Sequence, residues 1–511
     1  MSECRFPAEH AVDEPRYARL ALEKIGTGGL IVSNANTFRG GLTLASASQV
    51  QLNSVGAAGT GPMVFAATDA ELNYSGGGAI TWTNDITVNN GVRGILSADD
   101  GNTLEVAGVI SGAGSLWRPN NFSEQGTLIL SGANTFGGGF TLAGGTLILK
   151  HPRATGRGAF SIGDPLFFNG SSLNVQAGVN LSGGEALTNA VVLNRFVTFG
   201  GTNALELAGP VTLAFTSPQV SINVDTPASV VISGPLGGAG FGINKTGDGL
   251  LTLNSVATFD GRLGISTGPL AIGPAGAVPN AADILVGGSG LLDVASAPGF
   301  TVGVGQELRG AGTVLGDITV AGELIPNGSI FTFTFSNNLT LTASSTTTMN
   351  INRNASPAPE QVACHGSLQF GGVLVVNNFG PPLQLGDTFD LFGFSGNPGN
   401  FASFTLPPLD AGLAWNTSNL GVNGTISVVS TGPTPPQLAN PQLATPTSFI
   451  MTVNGGTANG QFRVLTHTNV DAPALHWEVL STNTYDASGN LTVTNLVNPA
   501  ESMRFFRTVE P

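Results

Sequence analysis

The sequence has few charged residues and very few bases. Asp, Glu, Lys and Arg together make up 10% of the 511 residues, only three of them are lysines, and the net charge is −14 at pH 7. An average globular protein has about 25% charged residues. Nucleic-acid binding needs clustered Lys and Arg to replace counterions, and no such cluster occurs. The composition therefore excludes a nucleic-acid partner and disfavours an anionic membrane surface.

Cysteine and long apolar runs are also scarce. Cys4 and Cys364 lie far apart and form neither a disulfide framework nor a metal-ligand spacing. No run of 18 apolar residues occurs, so no transmembrane helix is predicted. Residues 1–21 lack the apolar core of a signal peptide and are charged, unlike the rest of the chain. We interpret them as a truncated or mis-started N-terminus, with a short native extension as the alternative.

The sequence is rich in glycine, with 73 residues, and a glycine-containing phrase is repeated along it. The stretch Gly126–Leu149 indicates three short apolar strands, at Leu128–Leu130, Phe140–Leu142 and Leu147–Leu149, separated by corners rich in Gly, Asn and Ser. The same phrase occurs at Gly29–Leu44 and Gly249–Leu263. A repeat of this kind decides the architecture of the region around it.

Corners rich in Gly, Asn and Ser are expected in two architectures, hairpin meanders and stacked coils. Strands of three to five residues with few two-residue Asn-Gly turns fit coils better than hairpins. Stacked coils bury Val, Leu, Ile and Phe in columns and can align equivalent Asn side chains into ladders. The predicted fold class is all-β: a right-handed parallel β-helix (solenoid) over residues 22–345, followed by a small C-terminal β-sandwich.

The three phrases resemble the autotransporter-associated β-strand repeat of bacterial passenger-type proteins. A Lys-x-Gly turn precedes two copies, at Lys24-Ile25-Gly26 and Lys245-Thr246-Gly247, whereas Arg118-Pro119-Asn120 takes its place in the second copy. The third copy has Ala257 where the others have Asn. Leu308–Gly328 resembles the segment that commonly closes such arrays. The resemblance implies the solenoid architecture and an extracellular or cell-surface location, associated with the outer membrane, but no particular activity.

The C-terminal third is predicted to contain three further segments. Residues 346–430 are expected to form a β-rich end or cap of the solenoid, with Trp415 as a core anchor. Residues 431–446 are Pro-rich and are expected to be a stiff linker. Alternating runs over residues 447–511 predict a small β-sandwich with Trp477 and Phe505 in its core. That pattern resembles C-terminal modules of secreted bacterial proteins, which implies an anchoring or sorting role.

Two glycine motifs resemble functional signatures. Gly264-Ile265-Ser266-Thr267-Gly268 matches a nucleophile elbow, which requires a helix after the strand. No helix is expected there, so we interpret it as a repeat corner. The stretch Gly287–Asp293 resembles a calcium-binding β-roll repeat, but its Asp is one position late and no tandem copy follows.

The remaining candidates are isolated. Cys364-His365 has no further ligands at metal-binding spacing. The other histidines lie in different segments: His10, His151, His467 and His476. Asp99-Asp100 is an adjacent carboxylate pair, and the following glycine favours a turn. We therefore predict no catalytic, cofactor-binding or metal-binding residue, and no cofactor.

These observations favour a non-catalytic extracellular or cell-surface β-helix protein that acts as a structural stalk or adhesin. Its expected partners are cell-surface glycans or other surface proteins. The alternative is a carbohydrate-active enzyme or glycan-binding protein on the same fold, because fold does not fix function. A cluster of carboxylates and Arg on one coil face would favour the enzyme, and an exposed aromatic row would favour glycan binding. Self-association through the N-terminal coil is a third possibility.

Overall fold

The computed structural model describes residues 20–121, 123–164, 173–214, 218–326, 332–354, 361–431 and 436–510. These residues form short β-strands joined by tight corners, with one short α-helix at Leu420–Asn423 and 3₁₀ turns at Gly183–Glu185 and Ala474–His476. None of the helices in these ranges is long and apolar enough to cross a membrane. Nearly all of the predicted N-terminal extension, residues 1–19, lies outside the described ranges.

The strands follow one another closely along the chain. The first are Leu22–Lys24 (β1), Leu30–Val32 (β2), Leu42–Leu44 (β3), Gln49–Leu52 (β4), Met63–Phe65 (β5), Ala70–Tyr74 (β6), Ala79–Trp82 (β7), Ile86–Val88 (β8), Arg93–Ala98 (β9), Thr103–Val106 (β10), Ile110–Gly112 (β11), Ser115–Arg118 (β12), Thr127–Leu130 (β13), Phe140–Leu142 (β14), Gly145–Leu149 (β15), Phe160–Ile162 (β16) and Leu173–Ala177 (β17). The next are Val191–Leu193 (β18), Val197–Gly200 (β19), Ala204–Leu207 (β20), Val211–Leu213 (β21), Gln219–Val224 (β22), Ser229–Ile232 (β23), Leu236–Gly237 (β24), Gly242–Thr246 (β25), Leu250–Leu253 (β26), Leu263–Ile272 (β27), Asp283–Asp293 (β28), Thr301–Val302 (β29), Glu307–Gly310 (β30), Thr313–Leu315 (β31), Ile318–Val320 (β32), Glu323–Pro326 (β33) and Thr332–Phe335 (β34). The last are Leu339–Leu341 (β35), Thr346–Ile351 (β36), Gln361–Gln369 (β37), Val373–Asn378 (β38), Thr388–Asp390 (β39), Phe392–Ser395 (β40), Ser403–Thr405 (β41), Leu413–Asn416 (β42), Thr425–Ser430 (β43), Gln437–Thr445 (β44), Ser448–Asn454 (β45), Gln461–His467 (β46), Glu478–Thr484 (β47), Leu491–Leu496 (β48) and Phe505–Val509 (β49).

The strands from β1 to β38, together with β40 and β41, pair in parallel and form a solenoid of about 14 turns. One sheet has the order β1-β3-β5-β8-β11, and a second runs β2-β4-β6-β9-β12-β14-β16-β18-β21-β24. A third set of strands continues from β7 through β10 and β13 to β41. Each strand therefore pairs with the equivalent strand of the next coil, and the predicted parallel solenoid is confirmed, including the three strands expected in Gly126–Leu149.

The core consists of apolar columns that run from coil to coil. Leu104 pairs with Leu128, Leu128 with Leu147, and Leu147 with Val175, and all four side chains are fully buried. A second column contains Phe140, Phe160, Val191 and Val211. Burying one such side chain contributes about 1.5–3 kcal/mol. In-register stacking therefore stabilises coils whose strands are too short to be stable alone.

A glycine of the next coil packs against the aromatic ring of the repeated Asn-Thr-Phe phrase. Phe136 is fully buried, and Gly156 lies against it with φ of +77°. A Cβ on Gly156 would lie 2.6 Å from the Phe136 carbonyl oxygen and 2.9 Å from its ring. Gly59 has the same relation to Phe38 in the first copy. Only glycine fits these positions without displacing the ring or straining the backbone.

The C-terminal residues form antiparallel sheets. A short sheet has the order β39-β43-β42, and the last 75 described residues form two sheets of three strands, β44-β45-β48 and β47-β46-β49. Side chains from both of these sheets share one core, made of Met451, Val453, Phe462, Val464, Tyr485 and Val493. The predicted C-terminal sandwich is thereby confirmed, with each of the five expected alternating runs forming a strand.

The structure differs from the expected segment boundaries in two places. Parallel pairing continues beyond residue 345 as far as β41. Residues 437–445, expected to be linker, form β44 and pair with β45. Pro441 lies at the register shift between Ala439 and Gln442, where its missing N–H interrupts no ladder bond. Residues 432–435 of the expected linker lie outside the described ranges.

The expected aromatic anchors are also placed differently. Trp477 and Phe505 are only half-buried, and the sandwich core is filled instead by the stacked rings of Phe462 and Tyr485, whose centroids lie 4.3 Å apart. Trp477 is not part of that core, and its indole N–H donates to the Ala472 carbonyl oxygen at 2.9 Å. Trp415 is half-buried and packs beside Phe389.

Candidate functional site

The two glycine motifs lie inside strands. Gly264–Gly268 is part of β27, which continues to Ile272, and the Ser266 hydroxyl donates to Asn244 Oδ1 at 2.8 Å. Gly287–Asp293 is the second half of β28, and Asp293 Oδ1 accepts from the Ala295 N–H at 2.9 Å. Neither motif has the strand–helix turn or tandem ligand loop that its chemistry requires.

The Cys and His candidates do not come together. Cys364 is buried, its thiol donates to the Asn337 carbonyl oxygen at 3.4 Å, and burial raises its pKa. His365 beside it is exposed, and His151 accepts from the Arg153 N–H within its own turn. Among the described residues, no group of three or more His, Cys, Asp or Glu is placed to hold a metal ion. Cys4 and His10 lie outside those residues.

The structure does gather carboxylates around a buried arginine, in a cluster that we call the Arg118 corner. It consists of Arg118, Glu71, Asp99, Asp100 and Glu124. Sequence reasoning identified only Asp99 and Asp100, because the other members lie about one coil away from them in the chain. The parallel stacking of β6, β9 and β12 brings them together.

Arg118 ends β12 and is fully buried. Its Nη2 donates to the carbonyl oxygens of Glu124 at 2.8 Å and Gly126 at 2.7 Å. Burial lowers the pKa of Arg118 to about 10, although the neighbouring carboxylates act in the opposite direction. The guanidinium therefore donates hydrogen bonds to backbone carbonyls of the corner that follows its strand. Backbone groups in such a corner have few hydrogen-bond partners within the sheet.

The lysines of the other repeat copies have the same role. Lys24 Nζ donates to the Gly26 carbonyl oxygen at 2.7 Å, and Lys245 Nζ donates to the Gly247 carbonyl oxygen at 2.5 Å. Both glycines have φ between +74° and +79°. Lys245 is fully buried, which lowers its pKa to about 8. The Lys-x-Gly turn is therefore a cation cap on a left-handed corner, and Arg118 replaces it in the second copy.

The carboxylates of the Arg118 corner are hydrogen-bonded to protein groups. Glu71 accepts from the Ser97 hydroxyl, and Glu124 Oε2 accepts from Asn121 Nδ2 at 2.9 Å. Asp99 Oδ1 accepts from Asn73 Nδ2 at 2.9 Å, and Asp100 Oδ1 from the Gln125 N–H at 2.7 Å. A buried carboxyl beside another carboxylate is the arrangement that a general acid requires. Here, however, Glu124 is only 7% exposed.

The contribution of the Arg118 corner to stability depends on pH through the protonation of Glu124. Burial raises the pKa of Glu124 from 4.5 to about 7, and the charge of Glu71 acts in the same direction. Because the pKa of Glu124 is higher in the folded than in the unfolded state, protonation of Glu124 stabilises the fold. This stabilisation is fully present below about pH 4.5 and is lost as the pH rises through about 7. The maximum contribution is about 3 kcal/mol.

We therefore expect Glu124→Gln, which mimics the protonated carboxyl, to reduce the loss of stability between pH 5 and pH 8. The urea midpoint of the full chain at the two pH values measures this effect. Asp410→Asn, at an exposed carboxylate, is the matched control and should keep the wild-type pH dependence. An unchanged pH dependence in Glu124→Gln would contradict the assignment.

The solenoid also has a long uncharged column of polar side chains on its outer surface, which we call the Thr/Asn column. Its members are paired from one coil to the next and all are half-buried: Thr103, Thr127, Thr146, Asn174, Thr198, Asn223 and Thr246. Thr246 Oγ1 donates to Asn223 Oδ1 at 3.2 Å. Neighbouring strands lie about 4.8 Å apart, so the column presents hydroxyl and amide groups at a regular spacing.

The Asn side chains of the repeated phrase do not form a side-chain ladder. Asn134 accepts from the Ile110 N–H of the preceding coil at 2.7 Å and donates to the Ala154 carbonyl oxygen of the next coil at 2.6 Å. Asn36 donates in the same way to the Ala57 carbonyl oxygen at 2.8 Å. In the third copy, Ala257 makes only backbone bonds to its neighbours. The Asn thus joins coils through the backbone.

Comparison with known proteins identifies two of the repeat copies. The passenger-associated-transport-repeat family matches residues 22–47 and 125–149, which contain the first and second copies. The cation cap and the buried Asn and Phe described above lie in or next to these ranges. The resemblance inferred from the sequence is therefore confirmed by an independent match.

Two individual proteins are similar to this chain. The Adhesin BmaC autotransporter of Brucella suis is 29% identical over 169 residues, which is 32% of this chain and 5% of the adhesin. This chain thus spans a small part of that relative's length. The crystal structure of the Haemophilus influenzae Hap adhesin matches 80% of this chain and 64% of its own at 12% identity, with a TM-score of 0.22. A TM-score this low carries no weight for the fold.

Proposed function

We propose that this chain, which contains two passenger-associated-transport repeats, is a non-catalytic stalk or adhesin at the cell surface or outside the cell. The observation that carries the proposal is the in-register stacking of coils from β1 to β41. Each coil buries its apolar side chains against the next, so the stacked coils form a stiff support. A stalk needs this stiffness and no reaction chemistry.

The Thr/Asn column is the contact surface of this proposal. It is uncharged and half-buried, and its hydroxyl and amide groups both donate and accept hydrogen bonds. Such a surface complements a neutral ligand that itself repeats hydroxyl groups, and glycans of cell surfaces have that chemistry. The adhesin name of the Brucella relative is consistent with a role in attachment.

The Arg118 corner is the observation that favours the alternative, a carbohydrate-active enzyme. It combines carboxylates with an arginine on one side of the solenoid. We favour a structural role because the Arg118 Nη2 donors bind backbone carbonyls and all four carboxylates accept hydrogen bonds from the protein. A hydrolase would need a general acid in contact with its substrate, whereas Glu124 is nearly inaccessible.

The test is retention of the purified full chain on immobilised neutral polysaccharides, with a parallel count of new chain ends. We expect retention without new ends. Thr146→Arg should weaken retention about tenfold, because it places a charged, bulky side chain in the Thr/Asn column. Thr43→Arg, at the outward-facing middle position of β3 in a different sheet, is the matched control and should bind like wild type.

Two results would contradict the proposal. Equal retention of Thr146→Arg and wild type would exclude the Thr/Asn column as the contact surface. New chain ends that accumulate with turnover would exclude a non-catalytic role and direct attention to Glu124 and Glu71.

A further inference from the structure

The C-terminal sandwich has an outward surface that the solenoid-based proposal does not use. It lies on the sheet β47-β46-β49, and we call it the Trp477 face. In this sheet Leu465 pairs with both Val479 and Arg507, and His467 pairs with Phe505. Phe462 and Val464 of the same strand point into the sandwich core. Alternation along the strand therefore puts Leu465, His467 and Arg507 on the opposite, outward side.

The indole of Trp477 contacts side chains of this face. Trp477 Nε1 donates to the Ala472 carbonyl oxygen at 2.9 Å, and the ring centroid lies 6.0 Å from that of His467. The Arg507 guanidinium carbon lies 5.5 Å from the centre of the indole ring. Tryptophan and arginine in this arrangement are the residue types most enriched where binding energy is concentrated.

Arg507 contacts the Trp477 ring but has no carboxylate partner in the part of the chain that the structure describes, and apolar side chains near this face are exposed to solvent. None of the described carboxylates forms an ion pair with Arg507, whereas Arg504 is paired with Glu501 at 3.1 Å. Val479 is 54% exposed, and Leu475, two residues before Trp477, is 92% exposed. Exposed apolar side chains around an unpaired cation mark an interaction surface rather than a solvated one.

We propose that the Trp477 face binds acidic polysaccharides. The exposed aliphatic side chains and the exposed part of the half-buried indole provide an apolar surface for the C–H faces of sugar rings. The planar guanidinium of Arg507 can bind a uronate carboxylate through two parallel hydrogen bonds, and His467 adds a second donor. Arg507 thus supplies a positive charge without a carboxylate partner among the described residues, in a chain whose net charge is −14, and it complements the carboxylate of an acidic sugar.

This inference goes beyond the proposed role of the solenoid, because it assigns a different ligand class to a different part of the chain. Nucleic acid and anionic membranes are poorer occupants. Both need clustered Lys and Arg for binding, whereas this face places a single guanidinium, that of Arg507, beside the indole. A polysaccharide strand with one carboxylate per one or two sugars needs only local complementarity.

The experiment measures binding of the full chain to immobilised polygalacturonate, with dextran as the neutral comparison. We expect Arg507→Gln to bind polygalacturonate at least tenfold more weakly and to keep wild-type retention on dextran. Arg507→Lys keeps the charge but loses the two parallel N–H donors of the guanidinium. It should therefore bind polygalacturonate more tightly than Arg507→Gln but more weakly than wild type. Arg39→Gln removes an exposed arginine of the solenoid and is the matched control for net charge. An unchanged near-ultraviolet circular dichroism signal shows that each variant is folded.

Four outcomes would overturn the proposal. The first is no binding of the wild-type chain to polygalacturonate; retention on dextran would then still support the separate role of the Thr/Asn column. The second is an equal loss in Arg39→Gln, which would show that binding follows net charge alone. The third is binding to anionic phospholipid vesicles in preference to polygalacturonate. The fourth is a concentration-dependent dimer that Arg507→Gln abolishes, which would make the face a contact between copies.

Discussion

Gly156→Ala is expected to lower the free energy of unfolding by roughly 2–4 kcal/mol. Two effects add at this position. A non-glycine residue at φ of +77° costs about 1–2 kcal/mol in backbone strain. The new methyl group would also lie 2.9 Å from the ring of Phe136, and inserting a methyl into a packed core typically costs about 1–3 kcal/mol. Phe136 cannot move aside, because it is fully buried.

Two other glycines separate these effects. Gly137→Ala has open space around the new Cβ and a φ outside the left-handed region, so it should leave the urea midpoint nearly unchanged. Gly183→Ala also has open space, but its φ is +61°, so it should show the backbone strain alone. The expected order of destabilisation is Gly156, then Gly183, then Gly137. A Gly156→Ala midpoint equal to that of Gly183→Ala would show that the contact with Phe136 has no energetic weight.

The sequence was sufficient to predict the solenoid because its strongest signals are local. The strands at Leu128–Leu130, Phe140–Leu142 and Leu147–Leu149 are each bounded by Gly, Asn or Ser, and all three are present in the structure. The repeat of the whole phrase then implied stacking. The five alternating runs of the C-terminal module were predictable for the same reason, since alternation within one strand reports a half-buried sheet.

The Arg118 corner was not predictable, because its contacts join residues of different coils. Asp99-Asp100 was visible as an adjacent pair. Glu71 and Glu124 lie near this pair only because neighbouring coils stack, and which residues are brought together depends on the coil length, which varies along the chain. The replacement of Lys-x-Gly by Arg118-Pro119-Asn120 was the available signal. It marked the position of the cation cap, although not the carboxylates around it.

The expectation for residues 437–445 failed for a different physical reason. Five prolines between residues 433 and 446 indicated an extended linker. Pro prevents pairing only where its nitrogen would have to donate to the ladder. In β44, Asn440 has φ of +50° next to Pro441, and the resulting register shift lets the strand pair on either side. Whether a proline interrupts a strand depends on this register, which composition does not encode.

The second large effect is expected for Arg118→Leu, which should lower the free energy of unfolding by about 3–5 kcal/mol, as is typical when one partner of a buried charge cluster is removed. The substitution leaves the carbonyl oxygens of Glu124 and Gly126 without their donor. It also removes the cation that faces Glu71 and Glu124. Arg118→Lys should lose less, because Lys24 and Lys245 cap equivalent corners with an ammonium group.

The pH dependence of this variant distinguishes a charge effect from a packing effect. If Arg118 offsets the carboxylates, the loss in Arg118→Leu should be larger at pH 8, where Glu124 is ionised, than at pH 5, where it is protonated. Urea midpoints at both pH values measure this difference, and the double variant Arg118→Leu/Glu124→Gln should reduce it. Arg157→Leu, at an exposed arginine of the solenoid, is the matched control. An equal loss at both pH values would assign the role of Arg118 to its backbone hydrogen bonds alone.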